Sequence, residues 1–147
     1  MAGSAGLKQK IDLMAHDCVA MRMRLVNRVV TNLYDEALRP LGLKASQLNI
    51  LVAAAKLGLA QPAQVCEILQ LDASTLSRNV ARMRAKRWLE AVPADDAREQ
   101  PFRLTPAGWK LLEKATPHWQ RAQTKVSGLL GTDGVAWLGD LARRLEA

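Results

Sequence analysis

Aromatic side chains are scarce in this chain: four Trp, one Tyr and one Phe among 147 residues. With so few rings, Ala and Leu must build the core, which favours helix over sheet. Cysteine is nearly absent. Cys18 and Cys66 lie far apart, forming neither a CxxC pair nor a disulfide framework, which points to a reducing compartment. No HExxH, nucleophile elbow or Gly-rich phosphate loop occurs, so neither an enzyme nor a cofactor is expected. His16 and His118 are the only histidines, and their spacing specifies no metal site. The most apolar stretch, Leu48 to Ala60, is interrupted by Lys56 and is too short to span a bilayer. The first ten residues lack the apolar centre of a signal peptide. A cytoplasmic protein with no membrane partner is the expectation. Acid is also in deficit: 14 Asp and Glu stand against 21 Lys and Arg, a net charge of +7. A basic balance of this size suits a polyanion.

The chain does contain a sizeable apolar fraction, 49%, arranged mostly at helical spacing. After a loose start over residues 1–8, one long amphipathic helix is predicted from Ile11 to Leu38, ended by Pro40 and Gly42. Its apolar stripe, including Met14, Cys18, Met21 and Leu25, is too long to bury within so short a chain, so part of it should pack on a second subunit. A second helix is predicted from about Ser46, as N-cap, to Lys56. A third begins at Pro62 and reaches about Gln70, with Cys66 as a small buried residue. Beyond Trp88 the period changes. Leu89 to Pro93 and Gln100 to Leu104 read as a two-stranded hairpin around a polar turn, kept short by Pro93 and Pro101. Thr105 and Pro106 open a fifth helix, expected to kink or split near Ala115 because of Pro117 and to reach about Leu130. After a break at Gly131–Gly134, Val135 to Leu145 forms a last helix. The four Trp are expected to be packing residues.

The richest stretch runs from Leu71 to Arg87. Asp72 is the expected N-cap, and Leu76, Val80 and Met83 share one helical face. Ser74, Arg78, Ala81, Arg82 and Ala85 fall on the opposite face. Five basic residues and no acid lie between Arg78 and Arg87. The DNA major groove admits a helix of this kind: Arg pairs with guanine edges and Ala allows close approach. A helix, a brief turn and a second helix give the helix-turn-helix spacing. Arg84, Lys86 and Arg87 lie off the central outward face, as phosphate contacts or solvated charge.

Three motifs carry a resemblance to the MarR family of bacterial transcription regulators. Leu71-Asp72-Ala-Ser74-Thr-Leu76-Ser77-Arg78 resembles the opening of that family's recognition helix. Asp95-Asp96-Ala97-Arg98, followed by Leu104-Thr105-Pro-Ala-Gly108, is similar to its wing signature. Ala37-Leu38-Arg-Pro40-Leu41-Gly42-Leu43 looks like the end of its first helix. The likeness spans roughly Met14 to Leu145. Two positions depart from it: Ala97 replaces one of two basic residues at the wing tip, and Pro101 stands where a strand residue is more usual.

The resemblance implies a mainly α fold: a winged helix-turn-helix domain over residues 45–105 with a short β-hairpin wing. Residues 10–42 and 106–147 would form a helical dimerisation region. It implies a homodimer acting as a repressor on a pseudo-palindrome of double-stranded DNA, released by a small-molecule effector. Carried over, Ser74, Thr75, Ser77, Arg78 and Arg82 contact DNA from the recognition helix. Arg98 enters the minor groove, where A·T-rich narrowing attracts Arg, and Asp96 holds it by a charge-assisted hydrogen bond. A ligand pocket is implied between the dimerisation helices and the winged domain, with Met21, Met23, Arg24 and Trp119 as liners. Two alternatives stay open. One is a thiol-based redox sensor through Cys18, with Arg22 or a protonated His16 depressing its pKa. The other is a helical interaction protein that does not bind DNA.

Overall fold

A computed structural model describes residues 2–96 and 98–146. Ala97, the departing residue at the hairpin tip, lies outside the described residues. The elements in order are α1 (Ala2–Asp17), α2 (Val19–Leu38), a 3-10 turn (Arg39–Leu41), α3 (Ala45–Leu57), α4 (Pro62–Leu69), α5 (Ala73–Ala85), β1 (Leu89–Ala91), β2 (Phe102–Leu104) and α6 (Pro106–Glu146). The fold is mainly α, with one antiparallel hairpin.

The core lies where α3, α4, α5 and the hairpin meet the end of α2 and the start of α6. Leu38, Ile50, Leu51, Val65, Leu76, Met83 and Phe102 are fully buried there. Each such side chain contributes about 1.5–3 kcal/mol. The hairpin pairs Leu89 with Leu104, Glu90 with Arg103 and Ala91 with Phe102. Ala60 adds a separate antiparallel bridge by exchanging both backbone hydrogen bonds with Phe102, at 2.8 and 3.0 Å. This bridge ties the wing's base to the loop between α3 and α4.

Several sequence expectations need correction. The chain start is helical from Ala2 onward rather than loose. The long first helix is two helices, because Cys18 takes an extended conformation (φ −65°, ψ 109°) between α1 and α2. The guanidinium of Arg22 donates to the freed His16 carbonyl and to Asp17 Oδ1 at 3.2 Å, which stabilises the break. Lys44, not Ser46, is the N-cap residue of α3. The orphan N–H of Ala45 is satisfied by Asp35 Oδ1 at 2.7 Å, and that of Lys44 by the buried Gln47 Oε1 at 3.1 Å.

α6 does not split at Pro117. Its helical dihedrals depart only at Gly131 (φ 72°, ψ 167°). Proline costs one internal bond, but Leu111, Ala115, Ala122 and Val126 are buried along one side of α6 on both flanks of Pro117, and that burial holds the helix together. α6 packs along α2, where Tyr34 Oη donates to Gln123 Oε1 and burial raises the Tyr34 pKa. Of the four Trp, only Trp88 packs against the core; Trp109, Trp119 and Trp137 are exposed.

Candidate nucleic-acid interface

α5 is placed by its two faces and its ends. Leu76 and Met83 are buried and Val80 is packed against the core, so the spacing read from the sequence sets the helix's rotation. Ser77, Arg78, Ala81, Arg82 and Ala85 are therefore turned to solvent. At the N-terminus, Asp72 Oδ1 accepts from the Thr75 N–H at 2.7 Å. The same carboxylate accepts from Ser74 Oγ at 2.6 Å and from Thr75 Oγ1 at 2.7 Å. These bonds, first that of the Ser74 hydroxyl and then those of Thr75, hold the Asp72 carboxyl far below the usual carboxylate range.

That cap changes what two of the expected contact residues have to offer. The hydroxyl protons of Ser74 and Thr75 are committed to Asp72, leaving their oxygens as acceptors. Arg78 reaches back to Thr75 Oγ1 at 3.4 Å. Ser77 and Arg82 are exposed, and Arg82 makes no ion pair among the described residues.

The C-terminal end of α5 is closed by a left-handed residue that is not glycine, Arg87 (φ 61°). The Trp88 N–H bonds the Met83 carbonyl at 3.0 Å and the Arg87 N–H bonds that of Arg84 at 2.9 Å, the paired bonds of a Schellman ending. Thr105 Oγ1 donates to the Arg87 carbonyl at 2.6 Å and accepts from the Gly108 N–H at 3.0 Å, so one hydroxyl caps α6 and docks it on the end of α5. A Cβ at Gly108 would lie 2.2 Å from the Trp88 carbonyl oxygen, so only glycine permits this approach. Lys86 is not loose charge: its ammonium donates to the Gly42 carbonyl at 3.1 Å and sits 4.5 Å from the Trp88 ring centroid.

The hairpin presents Arg98 at its tip, with a side chain 91% exposed. Asp96 Oδ1 accepts from the Arg98 backbone N–H at 2.9 Å and from its Nε at 3.2 Å. These bonds, the backbone one first, lower the Asp96 pKa. Glu90 and Arg103 pair across the two strands at 2.6 Å. Arg98 and the outward face of α5 thus stand on one structural unit, the winged helix-turn-helix. Met21, Arg24 and Trp119 are not gathered in the same way. Met21 lines a shallow apolar hollow with Ile11, Met14 and Cys18, and neither Arg24 nor Trp119 lines it.

A groove that the sequence did not reveal runs between α4, α5 and β2, with a volume of about 490 Å³. Cys66, Leu76, Val80 and Phe102 form its walls, and Ser77 and Arg84 also line it. Cys66 is thus half-buried on a groove rather than sealed in the core. The sequence singled out Cys66, Leu76, Ser77, Val80 and Arg84 one by one, but for other roles. Their joint position depends on the hairpin folding back.

The MarR family profile matches residues 41–99, the stretch that holds the helix-turn-helix and most of the hairpin. Over that stretch the chain is similar to the MarR family. Multiple antibiotic resistance protein MarR of Salmonella typhimurium is 28% identical over 123 residues, covering 82% of this chain and 85% of that protein. Among solved structures, a mutant Escherichia coli MarR complexed with operator DNA superposes with a TM-score of 0.79 at 24% identity, over 90% of this chain and 96% of that one. Wild-type E. coli MarR in its apo form superposes at 0.68 with 26% identity, over 86% and 95%. The chain shares the winged helix-turn-helix fold of these MarR proteins.

Proposed function

We propose that this chain is a transcription regulator of the MarR kind, a repressor that binds a pseudo-palindromic operator as a homodimer, with α5 in successive major grooves and the hairpin tip at the minor groove. The observation that carries this reading is the orientation of α5: its apolar face is locked into the core, and Ser77, Arg78, Ala81 and Arg82 face outward without an acidic residue among them. Arg78 and Arg82 read base edges or bind phosphates. Arg98, aimed by Asp96, supplies the minor-groove contact. Two copies of α5 related by a two-fold axis would stand about one helical turn of DNA apart. The cytoplasm is the compartment where such a protein meets DNA. The relative of known structure bound to operator DNA supports the same use of the fold.

The effector, in this reading, is a small apolar acid. The groove beside α5 supports it: apolar walls with Arg84 among the lining groups, opening beside Ser77 and Ala81 of the DNA-facing side. A ligand there lowers affinity for DNA because it prefers the unbound arrangement. A redox reading through Cys18 has less support, since the Arg22 guanidinium is engaged by Asp17 and the His16 carbonyl rather than by the thiol.

Selection from random duplexes at fixed salt, followed by titration, tests the proposal. A pseudo-palindrome should emerge and bind at least a thousandfold more tightly than random DNA. Arg78→Ala should lose roughly ten- to hundredfold at that site. Aromatic carboxylic acids should release the wild-type complex but not that of Arg84→Ala. Equal affinity for selected and random DNA would instead mark a helical interaction protein whose basic helix is only surface.

A further inference from the structure

We propose that Lys86 is a positioning residue that ties the recognition helix to the dimerisation helices, and so fixes the distance between the two recognition helices of a dimer. The inference rests on the operator-binding reading above. By sequence, Lys86 belongs with Arg84 and Arg87 as a phosphate contact or plain surface charge. Its geometry is different. The ammonium spans 44 positions in sequence to donate to the Gly42 carbonyl, at 3.1 Å. Gly42 is the left-handed residue (φ 63°) that closes the 3-10 turn directly after α2. The same ammonium lies over the Trp88 ring, 4.5 Å from its centroid, within cation–π range.

The end of α5 is thus held by both arms of the helical region. α6 grips it through Thr105 and Gly108, by contacts to the carbonyls of Arg87 and Trp88. The turn that ends α2 grips it through Lys86 alone among the hydrogen bonds between residues 39–44 and residues 73–88. The α6 grip, through the Thr105 hydroxyl and the close approach of Gly108, does not involve the Lys86 side chain, so it survives a change there. The α2 grip does not. α2 carries much of the exposed apolar surface available to a partner subunit. Any change in the angle between α2 and the winged domain moves α5 relative to its two-fold mate. A lysine bound to a carbonyl and an aromatic face limits that angle while contributing no charge pair.

The two roles open to Lys86 give opposite signatures. A phosphate contact adds to the salt dependence of binding, about 0.9 in slope for each contact. A positioning contact leaves the slope alone and sharpens the preference for one half-site spacing. Lys86→Met keeps the stem and removes the donor and the cation; Lys86→Arg keeps both. Affinities are measured for the selected operator and for operators with one base pair added or removed between half-sites, over a range of salt. Hydrogen exchange of residues 39–43 and 83–88 is followed in the DNA-free protein. In Lys86→Met we expect an unchanged salt slope, discrimination between spacings reduced at least threefold, and faster exchange in both segments. Lys86→Arg should restore all three. A shallower slope with intact spacing discrimination would overturn the proposal in favour of a phosphate contact. No change in any readout would overturn it in favour of solvated charge. If the wild-type protein selects no operator, the DNA-binding reading fails. The exchange data still report whether the tie itself exists.

Discussion

Arg98 depends on one neighbour for its direction. Its side chain has almost no packing, yet Asp96 grips both its backbone N–H and its Nε, which turns a flexible arginine into an aimed one. The pair is too exposed to matter for stability. In the proposed minor-groove role, its value would lie in reducing the entropy lost on binding. Arg98→Ala should therefore weaken operator binding at least tenfold while leaving the melting curve in place. Fluorescence anisotropy and thermal denaturation on the same samples check both halves. Undiminished affinity at physiological salt would remove the wing tip from the interface. Asp96→Asn should give a smaller loss, because it keeps an acceptor for the backbone N–H and loses the charge.

At the level of elements, the start of α5 is stabilised by an ionised cap and so responds to acid. Asp72 takes three hydrogen bonds at the helix N-terminus, and its pKa is depressed. A carboxyl depressed on folding stabilises the protein fully above its unfolded pKa, and that stabilisation is lost as pH falls toward the folded value. Asp72→Ala should lower the melting temperature at pH 7 by roughly 2–4 °C. The gap from wild type should narrow progressively below about pH 4. A gap that stays constant down to pH 2 would mean the ionised cap is not what stabilises the helix. This cap was legible in the sequence because its signals are local: an acceptor at Asp72, Thr75 three residues on, then apolar positions at helical spacing. The Thr105 cap of α6 and the break at Gly131 were legible for the same reason. Features set by distant partners were not. The cap of α3 draws on Asp35, ten residues earlier. The break at Cys18 carries no Gly or Pro to announce it. Pro117, a strong local breaker, is outweighed by burial along α6 that only the packed structure supplies. The same limit hid Lys86, whose partner Gly42 lies across the fold, and the groove that joins Cys66 to Arg84.

For the whole molecule, the surface area argues for a second copy. The chain exposes 10776 Å², whereas a compact monomer of 16.1 kDa should expose only about 7,400 Å². The excess, on the order of 3,000 Å² per chain or about 6,000 Å² for a pair, matches the large interfaces of obligate homodimers, which bury about 2,000–5,000 Å² or more in total. It is also rich in apolar residues where a partner is needed: Ile11, Met14, Met21 and Leu25 on α1 and α2, and Leu129, Trp137 and Leu138 toward the end of α6, all stand at least 36% exposed. Such a surface is unusual for a stable monomer. Leu25, 65% exposed on α2, is a direct test because a charge there costs the single chain little. Leu25→Glu should raise the dimer dissociation constant at least tenfold in sedimentation equilibrium, with the helical circular dichroism of the winged domain kept. Operator affinity should fall toward that of one half-site, since linking two weak contacts supplies most of the binding. Affinity for an isolated half-site should stay as it was. A Leu25→Glu protein that remains dimeric and binds the full operator normally would place the interface away from α2. The path from Gly42 through Lys86 to α5 would then have no dimer geometry to transmit.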